Sequence, residues 1–128
     1  MKTLLRPSVF VCFSIVLGAS VAAAHHAVQA QFDVNDVQTF TGTMTEVELI
    51  NPHPYFHLDV ETPGGEVVNW SIESVALNAL RRMGLLKQLQ VGLDYTVEYN
   101  PARNGERVGL MTAITLPNGN RLLMRSQE

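Results

Sequence analysis

Between Thr39 and Leu49 the chain alternates and then changes step. Thr39, Thr41, Thr43 and Thr45 fall on one side of an extended segment, with Phe40, Gly42 and Met44 on the other, the period-two pattern of a strand. Val47 and Leu49 then carry the apolar series forward on odd positions. A strand changes the face it buries only by absorbing an extra residue, so the pattern predicts a β-bulge at Thr45 or Glu46. A long first strand bent in this way suits a small closed barrel.

The rest of the chain fits that architecture. Asn51-Pro52-His53-Pro54 is kept extended by its prolines. Phe56, Leu58 and Val60 then alternate with Tyr55, His57, Asp59 and Glu61 in a second strand. Thr62-Pro63-Gly64-Gly65 turns the chain, and Val68, Trp70 and Ile72 form the inward series of a third strand that closes a hairpin on the second. The period then becomes helical: Ser74 is the expected cap, Leu77 and Leu80 stack at three-residue spacing, and Gly84 supplies the stop. After the turn 89–94 come a strand through Tyr95, Val97 and Tyr99, a fifth through Val108, Leu110, Thr112, Ile114 and Leu116, and a short one at 121–124. Three strands, one short helix and two or three more strands make an all-β, OB-like barrel of five to six strands. Its expected core is Phe40, Val47, Leu49, Phe56, Leu58, Val60, Val68, Trp70, Ile72, Leu77, Leu80, Val97, Leu110 and Ile114.

The residues ahead of this pattern read as an export signal. Lys2 and Arg6 precede an uncharged run, Val9 to Leu17, too short to span a bilayer comfortably, and Ala19 to Ala24 offers small residues for a signal peptidase. Cleavage before His25 fits best and cleavage before Ala24 also fits. The expected organisation is a signal peptide over 1–24, an arm over 25–38 and the barrel over 39–126, in a periplasmic or secreted protein with no stable membrane span after cleavage. Cys12, the single cysteine, leaves with the signal, so disulfides, thiol catalysis and thiolate metal sites are excluded from the mature chain. Lys2 and Arg6 leave too, so nine basic side chains become seven against twelve acidic ones. That balance argues against nucleic acid as a partner.

All four histidines, His25, His26, His53 and His57, fall early in the mature chain. In a cysteine-free protein imidazole is the natural ligand for Cu(II). A free amine at His25 chelates copper with its own ring, and His53, on a loop stiffened by Pro52 and Pro54, is the expected third nitrogen, with His57 in reserve. If cleavage falls before Ala24, His26 becomes the third residue of the terminus, another copper geometry. Tyr55, His57, Asp59 and Glu61 share one face of the second strand, with Asn69, Ser71 and Glu73 expected beside them; Tyr55, Asp59 and Asn69 are the ligand-face candidates. Carboxylates two apart on one face follow from alternation alone, and no nucleophile–base pair or cofactor loop is visible, so no catalytic residue is assigned. Arg81 and Arg82 are accounted for by the helix dipole.

His25-His26 with Phe32-Asp33, Thr41-Gly42-Thr43, Asn51-Pro52-His53, Val68-Asn69-Trp70, Asn78 to Arg82 and Leu116-Pro117-Asn118-Gly119 occur together along the mature chain. In this combination the sequence resembles an uncharacterised family of small exported bacterial proteins, a domain of unknown function. It carries Ala27-Val28 where such proteins usually read Ser-Phe. The resemblance implies export and a compact β-rich domain and supplies no activity. The expected function is a non-enzymatic exported binding or accessory domain with Cu(II) as candidate ligand; the alternative is a metal-free module that docks an envelope protein through the barrel face.

Overall fold

The computed structural model describes residues 26–124. The described residues fall in two units, 26–31 and 32–124. Within the first, residues 26–31 are helical and exposed. The second is the barrel. Phe32, inside the stretch expected to be an arm, is buried and bridges to Ala102.

The barrel strands are β1 (Gln38–Glu48), β2 (Tyr55–Glu61), β3 (Val67–Glu73), β4 (Asp94–Pro101), β5 (Val108–Thr115) and β6 (Arg121–Leu123). They lie in the order β3-β2-β1-β4-β5-β6, and a parallel pairing of β3 with β5 closes five of them into a barrel. Closure removes most of the open edges an antiparallel sheet would otherwise expose. A short α-helix, Leu77–Arg82, and a 3-10 turn, Leu85–Gln88, connect β3 to β4 and add Leu80 and Leu85 to the core. The sequence pattern showed the helix but not the 3-10 turn. The expected mostly-β, OB-like barrel is borne out.

The change of step in β1 is a bulge. Met44 pairs with Leu58 and Glu46 with His57, leaving Thr45 as the extra residue. Gly42 and Met44 are buried before it, and Val47 packs against the core after it. Leu49 is a correction: β1 ends at Glu48, and Leu49 lies 50% exposed in the following loop. Alternation carries a side chain inward only while the chain remains paired.

Ser74 does not cap the helix. The N-cap is Ala76, with no side-chain cap bond. The Ser74 N–H instead donates to the Pro54 carbonyl at 2.9 Å and extends the β2–β3 ladder by one step. That pairing keeps Ser74 extended and buries its hydroxyl, whose Oγ has no hydrogen-bond partner. The helix ends as expected, at Gly84 with φ 68°.

The inward face of β5 also differs from the expected series. Glu98 pairs with Ala113 and Tyr99 with Met111, so Thr112 is an extra residue and the parity shifts there. Gly109, Met111 and Ala113 are buried, together with Ile114 and Leu116, whereas Leu110 is only half-buried. Gly109 lies under an aromatic group in which Trp70 meets Tyr99 at 5.0 Å and Phe40 at 5.6 Å between ring centroids, with Phe40 to Tyr99 at 5.2 Å. These tilted arrangements are the favourable ones for aromatic pairs. Trp70 and Phe40 are half-buried and pack against the core as expected of inward residues. Val60 faces the same way and is also half-buried.

Candidate functional site

The hairpin register decides which polar residues meet. Tyr55 pairs with Glu73, His57 with Ser71 and Asp59 with Asn69. Odd positions of both strands therefore share the outer face while Phe56, Leu58, Trp70 and Ile72 turn inward. The bulge in β1 brings Glu46 opposite His57 and Glu48 opposite Tyr55 on the same wall.

Glu73 is the hub of this wall. Its Oε1 lies 2.6 Å from His53 Nδ1, and its Oε2 accepts a hydrogen bond from the Tyr55 hydroxyl at 3.2 Å. The Glu73 side chain is only 15% exposed, so these contacts satisfy a carboxylate with little access to water. His53 is placed by its loop: the following residue, Pro54, is buried and its carbonyl accepts the Ser74 N–H. Among the described residues His53 Nε2 has no partner, and the His53 side chain is 43% exposed. Burial, and then the charge of Glu73, raise the Tyr55 pKa above its ordinary value; the Tyr55 hydrogen bond to Glu73 and the charge of Glu48 add to the shift.

His57 is engaged differently, its Nε2 lying 3.3 Å from Glu48 Oε2. Asp59 and Asn69 satisfy each other: Asn69 Nδ2 donates to Asp59 Oδ1 at 2.8 Å and to Thr45 Oγ1 at 3.2 Å. Of the residues expected at a site, the structure thus joins His53 and Tyr55 through Glu73. It places His57 and the Asp59–Asn69 pair farther along the β2–β3 hairpin. His26 is exposed in the separate helical unit, and His25 lies outside the described residues. Among the described residues no group of three or more His, Cys, Asp or Glu side chains could hold a metal ion.

The carboxylate partners were the residues missing from the expected site. Glu73 was on the expected face, but its role follows from the register that sets it opposite Tyr55. Glu48 reaches His57 because the bulge moves the even positions of β1 to the outer face.

A family model matches residues 14–112. The chain belongs to DUF6152, a family of unknown function. The match takes in all four histidines, β1 to β4 and most of β5, and bears out the family resemblance. No curated protein matches the chain. Among the described residues no helix is long and apolar enough to cross a membrane.

The DUF6152 barrel also separates its charges. From Pro7 to Leu80 there is no Lys or Arg. β1, β2, β3 and the loops joining them hold Glu46, Glu48, Asp59, Glu61, Glu66 and Glu73, so histidines are the only side chains there able to carry positive charge.

Proposed function

We propose that this DUF6152 chain is an exported, non-enzymatic binding domain that uses the outer wall of β1–β2–β3, with Cu(II) as its candidate ligand and His53 as the ligating residue of the barrel. The supporting observation is the His53–Glu73 contact of 2.6 Å, which engages Nδ1 and leaves Nε2 for a ligand. An imidazole held from behind by a carboxylate is the usual setting of a metal-binding histidine. With no three-residue metal group among the described side chains, the wall supplies one oriented nitrogen. A free amine at His25 chelates on its own account, which keeps the terminal histidines in the reading. Export rests on Lys2, Arg6, the apolar run and the alanines before His25, and the intact mass of the exported protein tests it: loss of the first 23 or 24 residues is expected, and a product retaining Met1 refutes it.

Titrating the purified mature protein with Cu(II) tests the ligand. A visible d–d band and a thermal shift are expected, both reduced by His53→Ala. Adding one residue before His25 should weaken binding independently if the terminal amine takes part.

A second reading is favoured by the charge separation. A three-stranded wall that with its loops holds six carboxylate residues and no Lys or Arg suits a cationic segment of an envelope protein. No band and no thermal shift with copper, together with salt-sensitive capture of a Lys/Arg-rich peptide lost on Asp59→Asn/Glu61→Gln, would favour that reading.

A further inference from the structure

The two barrel histidines present opposite ring nitrogens to their carboxylates. Glu73 meets His53 at Nδ1, whereas Glu48 meets His57 at Nε2. In a neutral imidazole one nitrogen carries the proton and the other the lone pair, and the atom that donates to a carboxylate is the protonated one. Glu73 accepts from His53, so the favoured tautomer is Nδ1–H with the lone pair on Nε2. His57, donating through Nε2, keeps its lone pair on Nδ1. The contacts differ in strength as well as direction. The His53–Glu73 distance of 2.6 Å is short for a charge-assisted bond, and Glu73 is itself braced by the Tyr55 hydroxyl at 3.2 Å. The His57–Glu48 distance is 3.3 Å, and the Glu48 side chain is 43% exposed.

We propose that Glu73 is a positioning residue: braced by Tyr55, it fixes His53 as the Nδ1–H tautomer and so makes Nε2 the atom that binds the ligand, while the less exposed His57, 22% against 43% for His53, stays out of that role. This rests on the copper reading for the identity of the ligand, but the tautomer belongs to the free protein. Three side chains then have distinct parts: His53 ligates, Glu73 orients it, and Tyr55 orients Glu73. The low exposure of Glu73 supports this arrangement, because an orienting carboxylate must itself be held still.

Two measurements on the full mature protein test the proposal separately from the copper reading. The first is the 15N spectrum of the His53 ring without metal, at about pH 8, above the ordinary imidazole range. A protonated Nδ1 and a bare Nε2 are expected in the native protein. Glu73→Gln should retain that pattern, because its amide oxygen still accepts, and Glu73→Ala should give a mixture of tautomers. A native His53 protonated at Nε2 overturns the proposal, as does a Glu73→Ala spectrum identical to the native one. The second is Cu(II) affinity. Glu73→Ala should weaken it by about 10–100-fold, Glu73→Gln by less, and His57→Ala should leave it unchanged. If His57→Ala costs as much as His53→Ala, the division of roles is overturned. If the native protein shows the expected tautomer but binds no Cu(II), the copper reading fails and Glu73 keeps its positioning role toward another ligand. If copper binds and Glu73→Ala changes neither tautomer nor affinity, the copper reading stands and the positioning role falls.

Discussion

Replacing Gly109 by alanine isolates one packing contact on which the barrel depends. A methyl group there would meet Tyr99 Cδ2 at 2.5 Å, with Tyr99 Cγ and Ile72 Cδ1 each at 3.1 Å. Ordinary carbon–carbon contact begins near 3.5 Å, so the Tyr99 ring would have to move by about 1 Å. It has little room to do so. Phe40 and Trp70 lie against it at 5.2 and 5.0 Å between centroids, and its hydroxyl donates to Gln38 Oε1 at 3.2 Å. Overpacking of this kind costs about 1–3 kcal/mol, and in a domain of this size each kcal/mol lowers Tm by about 4–8 °C. Urea unfolding followed by the fluorescence of Trp70, the single tryptophan, should show a lower midpoint with unchanged slope. The decisive comparison repeats Gly109→Ala in a Tyr99→Ala background, where only Ile72 Cδ1 at 3.1 Å, the end of a flexible side chain, stays close to the added methyl, and the cost should fall below about 0.5 kcal/mol. A loss below about 0.5 kcal/mol in the native background, or equal losses in both, would refute the packing argument.

Other expectations follow from single side chains. Ser74→Ala removes a buried hydroxyl with no partner, so stability should hold or rise by up to about 1 kcal/mol; a loss near 1 kcal/mol, the ordinary cost of deleting an N-cap, would restore Ser74 to the helix. The pKa values of Tyr55 and Tyr99 are both raised, chiefly by burial. Both should therefore ionise late in an absorbance titration, and Tyr55→Phe should remove one of the late steps. Because the folded state keeps these protons after the unfolded chain has lost them, stability should fall as pH rises above about 10; an unchanged number of late steps in Tyr55→Phe would contradict the assignment. Arg121 donates to both Glu98 oxygens, at 2.6 and 2.7 Å, and this hydrogen bonding lowers the Glu98 pKa. The pair's contribution is thus present above the unfolded carboxylate pKa and lost as pH falls through the lower folded one. Glu98→Gln should remove that part of the acid dependence, and an unchanged acid profile would count against it.

The barrel was legible because one face of each strand is apolar and the other polar, so β1 to β4, the bulge at Thr45 and the Gly84 stop could all be read from local patterns. β5 was misread where Gly109 supplies no side chain to mark the inner face and Thr112 is an extra residue; only pairing with β4 shows this. Leu49 and Ser74 were misplaced because each depends on where pairing stops: one residue before Leu49 in β1, and one residue beyond β3 at Ser74. At the candidate site, residue types and faces were legible and partnerships were not. Tyr55, His57, Asp59 and Asn69 could be assigned to one wall, but the tie from His53 to Glu73 joins a loop to the far end of the hairpin.

The central claim, that the outer wall beside His53 binds the ligand, is tested most directly by the paramagnetism of Cu(II). Backbone amide spectra of the 15N-labelled mature protein, recorded with substoichiometric copper, report which residues lie beside the bound ion. The amide signals of Asn51, His53, Tyr55, Glu73 and Ser74 should broaden first, those of Asp59, Asn69 and the β4–β6 wall should persist, and His53→Ala should abolish the pattern. Sharp signals from Asn51, His53, Tyr55, Glu73 and Ser74, while copper binds elsewhere or not at all, would contradict the assignment of the ligand to this wall.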